Sequence, residues 1–218
     1  MGANVVTLAR TALAVITLVM FQLRFPFRVA AFLLMILVFY MDSLDGWIAR
    51  RFNVASDFGA LFDITADRIV EHIYWIFFAV LHLVSFWVPI IFVARSFLVD
   101  AVRSFAFSTE GRTPFGEKTL MRSSFTRFLT AGRFMRAFYG FMKLLSFMLL
   151  GAELISRADV AFVQTPLALR VFHALSLAAP FCVWITTALC LVRGLPVLWD
   201  GRVYLFRKYF PREMKDAG

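Results

Sequence analysis

Four aspartates, Asp42, Asp45, Asp63 and Asp67, fall within one short stretch of the chain. The first two are spaced i, i+3 and the last two i, i+4. On helices both spacings put the paired side chains on one face. The residues around them are largely apolar, and a carboxylate in such surroundings needs a cation or a water-filled cavity. Four acids able to converge from two helices describe a divalent-metal site for two ions. An all-oxygen donor set suits Mg2+ or Mn2+. Gly46 follows Asp45 directly, and Gly59 lies one helical turn before Asp63. A helix interior disfavours glycine by ~1 kcal/mol relative to alanine, so glycines beside the acids point to close approach of a bulky ligand. Arg50 adds a guanidinium that can grip phosphate bidentately. Together these residues describe a metal–diphosphate site.

The elements that position these groups follow from composition. The chain has 218 residues, 61% of them hydrophobic, with a mean hydropathy of +0.78. Soluble domains average about 45–50% apolar. The expected fold class is therefore all-α, a polytopic membrane protein with about six transmembrane helices in a single domain, residues 1–218. Spans are expected at residues 4–23, 30–50, 58–84, 87–107, from about 128 onward, and at 171–192, each long enough for a ~30 Å hydrocarbon core. The first pair of acids then closes the second span. The second pair opens the third, with Asp57 as its cap. Asn4, Thr7 and Arg10 recur at i, i+3, i+6 and form a polar stripe pointing into protein or an interface. Arg10 interrupts the first apolar run, so no cleavable leader is expected. His72 reads as a packed or interfacial histidine. Cys182 and Cys190 are eight residues apart in one apolar segment, too far for a disulfide, and read as buried apolar side chains.

The spacing D-x2-D-G-x2-A-R-x8-G-x3-D-x3-D, here Asp42, Asp45, Gly46, Ala49, Arg50, Gly59, Asp63 and Asp67, resembles the signature of the CDP-alcohol phosphatidyltransferases, with no departure at any fixed position. The resemblance implies CDP-diacylglycerol as donor, an alcohol as acceptor and release of CMP. It makes Asp42, Asp45, Asp63 and Asp67 metal ligands and Asp67 also the general base. It sets Gly46, Ala49 and Gly59 against the nucleotide, with Arg50 on phosphate. The opening Asn-x-x-Thr-x-x-Arg run is also similar to the family's, and the family allows a homodimer. Within it, the chain is most like the phosphatidylglycerophosphate synthases. Ala94, Arg95 and Arg103 resemble a stretch there, although Ser96 stands where glutamate is usual and Asp100-Ala101 replaces a small-residue pair. Gly132-Arg133 answers to a Gly-Lys pair of the same enzymes.

Arg95, Arg103, Arg133 and Arg136 put four guanidiniums on the two spans that follow the acids. Their charge and fork geometry match phosphate, so the expected acceptor is a phosphorylated alcohol. Glycerol 3-phosphate is first, inositol phosphate second, and a phospholipid acceptor third. The net charge is +9. In a chain this apolar, basic loops set topology and face anionic lipid. Membrane lipids rather than nucleic acid are the expected partners, and the aspartate site is expected to face the cytoplasm. A tail from Arg193 onward reads as interfacial. From other functional classes, an intramembrane divalent-cation transporter would use the acids but leave Gly46, Gly59 and Arg50 unexplained. A catalytically silent lipid-binding relative would have no need of all four acids.

Overall fold

The structure, a computed structural model, describes residues 2–52, 57–110, 124–157 and 166–202. Among these residues there are seven helices and no strand: α1 (Gly2–Phe21), α2 (Phe25–Phe52), α3 (Asp57–Val80), α4 (Trp87–Glu110), α5 (Ser124–Ala131), α6 (Arg133–Ser156) and α7 (Pro166–Asp200). The six long helices answer to the six expected spans. Their outer faces carry large apolar side chains, among them Val5, Leu8, Val15 and Val19 on α1 and Leu177, Phe181 and Trp184 on α7. Helices of this length with apolar exterior faces make an all-α membrane protein. Cys190 is buried and Cys182 partly buried.

The second helix begins at Phe25 rather than residue 30, and the third, fifth and last spans differ from expectation more deeply. The fifth span divides at Gly132 into the short α5 and the long α6. The third stops at Val80 rather than running to residue 84. His82 adopts φ 55°, its N–H reaches the Ala79 carbonyl at 3.0 Å, and the Leu83 N–H reaches Phe78 at 3.0 Å. This is a Schellman cap, which closes the helix on its own last carbonyls. The last span is longer at both ends. Pro166 suits a first helical turn, and the helix continues through Arg193 to Asp200, so that Arg193 belongs to a span and not to a tail.

The chain divides into two compact units, and the divisions fall inside α4, α6 and α7. The first comprises residues 1–89 and 144–183, where α1 packs on α2 and α3. Its core is aromatic. Trp75 and Phe147 lie 4.6 Å apart by ring centroid and Phe39 stacks on Phe147 at 5.5 Å, pairs worth ~0.5–1.5 kcal/mol each beyond their burial. The Tyr74 and Thr17 hydroxyls, both buried, share a hydrogen bond of 2.6 Å. Gly151 lets α6 approach α2: a Cβ there would stand 2.8 Å from Met35 Cε and 2.9 Å from the Phe32 ring. The second unit comprises residues 90–143 and 184–218. Its apolar core includes Val99, Val102, Ala106 and Val197, and Thr186 Oγ1 donates to the Met142 carbonyl at 3.1 Å.

Candidate active site

The last turns of α2 carry Asp42, Asp45, Gly46, Ala49 and Arg50; their side chains lie outside the described residues. The opening turns of α3 carry Gly59, Asp63 and Asp67. The helix periodicity puts Asp63 and Asp67 one turn apart on one face. Their carboxylates converge on a single atom. Arg10 Nη2, from α1, donates to Asp63 Oδ1 at 3.2 Å and to Asp67 Oδ1 at 2.5 Å. The Arg10 side chain is 2% exposed, whereas the two carboxylates keep 39% and 44% of their surface. Thr7, one turn earlier on α1, is buried as well. The polar stripe expected on α1 therefore turns inward at Thr7 and Arg10, and Arg10 reaches the aspartate pair.

Farther along α3, Arg68 pairs with the buried Glu71 at 3.6 Å, and His72 is buried. Among the described residues no group of three acids, histidines or cysteines converges; two of the four expected ligands, Asp63 and Asp67, belong to that set. Both present carboxylate oxygens to one cationic point. Carboxylate oxygens are the donor type that suits Mg2+ or Mn2+, so in kind, though not in number, the residues described fit such an ion.

The second unit holds a cluster of cations. Arg95, only 8% exposed, runs its stem along the α7 backbone at Gly194, where a Cβ would meet Arg95 Cγ at 2.6 Å. The Arg193 guanidinium lies 4.9 Å from the Tyr139 ring centroid and donates Nη2 to the Thr130 carbonyl at 3.3 Å. Lys143 stands over the same ring at 5.7 Å. The charges of Arg95 and Arg136 both act on Arg193. Among the described residues, the Arg95 Nε, the Arg193 Nε and the Thr130 hydroxyl are buried with no hydrogen-bond partner. The Arg103 guanidinium lies 3.6 Å from the Asp100 carboxylate. The Arg133 side chain lies outside the described residues. Of the four expected arginines, then, Arg95 and Arg136 meet around Arg193, and Arg103 pairs with its own acid.

Comparison with known proteins decides the family. The family model for CDP-alcohol phosphatidyltransferase matches residues 1–150. The chain belongs to the CDP-alcohol phosphatidyltransferase family. Among its relatives is a Rickettsia bellii protein named CDP-diacylglycerol–glycerol-3-phosphate 3-phosphatidyltransferase, 31% identical over 103 residues, which is 47% of this chain and 57% of that protein. A Bacillus subtilis protein of the same name is 27% identical over 113 residues, 46% of this chain and 58% of that one. An Arabidopsis thaliana CDP-diacylglycerol–inositol 3-phosphatidyltransferase is 55% identical over 31 residues, 14% of each chain. The chain thus spans under two thirds of the length of these relatives. Its family assignment rests on the 150 matched residues that hold all four aspartates.

Proposed function

We propose that this protein moves a phosphatidyl group from CDP-diacylglycerol to a phosphorylated alcohol, with glycerol 3-phosphate the first choice and phosphatidylglycerophosphate and CMP the products. The carrying observation is the aspartate pair of α3, which converges on one cation within the family's complete signature. The acceptor oxygen attacks the phosphorus that bears the diacylglycerol. The bond from that phosphorus to the CMP oxygen breaks, and CMP leaves with the electron pair. Asp42, Asp45, Asp63 and Asp67 would hold Mg2+ or Mn2+, two ions in all, whose chemistry is to offset charge on the diphosphate and the departing CMP.

The remaining roles belong to the chain's own side chains. Asp67, half-exposed at the opening of α3, takes the proton of the acceptor hydroxyl. Arg50 holds phosphate through its fork. Gly46, Ala49 and Gly59 leave room for the nucleotide to lie close to backbone. In the second unit, the buried Arg95, the partly buried Arg193 and the exposed Arg136 offer guanidiniums to the phosphate of the acceptor, with Arg103 and Arg133 flanking them on α4 and α6. A neutral alcohol has no use for such a cluster. The names of the Rickettsia and Bacillus relatives support the glycerol 3-phosphate reading. Inositol phosphate is the alternative acceptor. The inositol enzyme's match is too short to choose between them. A site facing the cytoplasm, on the side of the basic loops, and a homodimer complete the proposal.

The test is incubation of the purified protein with CDP-diacylglycerol, Mg2+ and a panel of alcohols, with CMP release as readout. Release that requires glycerol 3-phosphate supports the proposal. Release with inositol phosphate alone moves the acceptor assignment. Ion flux in vesicles without CMP release replaces the enzyme by a transporter.

A further inference from the structure

Among the described residues, a cation that the chain supplies itself reaches the aspartates. A single nitrogen of Arg10 touches Asp63 Oδ1 at 3.2 Å and Asp67 Oδ1 at 2.5 Å. The guanidinium is closed off from outside, while both carboxylates stay partly open. A buried guanidinium is costly unless an anion faces it. Two carboxylates at one point repel each other unless a cation stands between them. Each group meets the other's need.

A divalent ion changes that relation. Mg2+ draws its oxygens to ~2.0–2.1 Å, so a nitrogen bridging the same two oxygens and a bound ion compete for one place. A positive charge left beside the ion would also repel it. Resting on the metal reading above, we infer that Arg10 is a resident counter-cation of the aspartate site. It holds Asp63 and Asp67 together in the metal-free protein and gives way when a divalent ion loads. Its effect is to stabilise the empty site and to weaken metal binding. Arg10 is thus a positioning residue that acts on the ligands and not on the substrate.

The test uses the full-length protein in detergent, titrated with Mn2+ and read by the EPR signal of free Mn2+. Arg10→Gln removes the charge and should tighten Mn2+ binding about tenfold, within the usual range of coupling between sites. The same variant should melt below the native protein without metal, and gain more in melting temperature from Mn2+ than the native protein does. Arg10→Lys keeps the charge and should change Mn2+ affinity by less than about fivefold. Unchanged or weaker Mn2+ binding by Arg10→Gln, with native binding intact, overturns the inference and leaves the metal reading standing. A native protein that binds no Mn2+ overturns both. Should Arg10→Gln fail to fold, the native protein decides. In infrared difference spectra with isotope-labelled arginine, Mg2+ should shift a guanidinium band that is missing from Arg10→Lys. No such shift in the native protein overturns the inference.

Discussion

Two clusters of charge, one in each unit of the chain, are completed in opposite ways. In the first, acids and base answer one another: the buried Arg10 faces Asp63 and Asp67. In the second, Arg95, Arg136 and Arg193 are all cations. What Arg193 finds there is a carbonyl and an aromatic ring rather than a carboxylate. The Nε atoms of Arg95 and Arg193 are buried without a hydrogen-bond partner among the described residues. A buried donor left unsatisfied costs ~1–3 kcal/mol, and more when charged. The Arg10 Nε is buried too, so what separates the clusters is the sign of the charges: the first sets a guanidinium against two carboxylates. The second sets guanidinium beside guanidinium, and an anion there would offset their repulsion. On the proposed reading, the first cluster serves a metal-bound diphosphate and the second a phosphorylated acceptor.

The hardest test of the acidic side is to remove its ligands. Asp42→Ala, Asp45→Ala and Asp63→Ala should each reduce CMP release to background while the protein still inserts into membranes. Near-native turnover in any one would take that residue out of the site. A smaller but still large loss separates ligand from base. Asp67→Asn should lower kcat by ~10²–10⁴-fold, the usual worth of general-base assistance, with donor affinity nearly unchanged. Weakened metal affinity with native-like kcat would make Asp67 a plain ligand.

The cationic side should respond in the acceptor alone. Arg95→Ala and Arg193→Ala should each raise the KM for glycerol 3-phosphate by ~10–100-fold, as hydrogen bonds to charged groups are worth ~1.5–3 kcal/mol. The KM for CDP-diacylglycerol should hold. Equal effects on both substrates would end the contrast between the clusters. The smallest effect is expected at Arg103, already paired with Asp100. Arg103→Gln should change the acceptor KM by less than about threefold, since a partly exposed pair contributes little. A tenfold rise would add Arg103 to the cluster.

The sequence made the acids legible because their spacing is a property of helices, and the spans legible because apolar runs of that length have few other uses. The inward turn of Thr7 and Arg10 could be read from their i, i+3 recurrence. Their target could not, because Arg10 lies 53 residues from Asp63 in the chain and only packing brings them together. Arg193 was hidden by its own charge. An arginine after an apolar run reads as the end of a span, yet Leu195, Val197 and Leu198 continue the run beyond it. The end of α3 was hidden too, because a histidine at positive φ leaves no mark in a sequence where glycine is the usual signal. The close passage of α6 over α2 at Gly151 depends on Phe32 and Met35, far away in sequence.

On the proposed reading, the length of α7 also bears on how a water-soluble acceptor would reach the guanidiniums. Its 35 residues extend ~52 Å at the α-helical rise, well beyond a hydrocarbon core of ~30 Å. The stretch long and apolar enough to cross a membrane is His173–Asp200. Arg193 stands seven residues before the end of that stretch, ~10 Å along the axis. That depth is about two helical turns in from the end of the span, within reach of the zone where lipid headgroups give way to acyl chains. A small phosphorylated alcohol entering from that side would travel a short distance to meet the guanidiniums. The diacyl chains of the donor need never leave the bilayer.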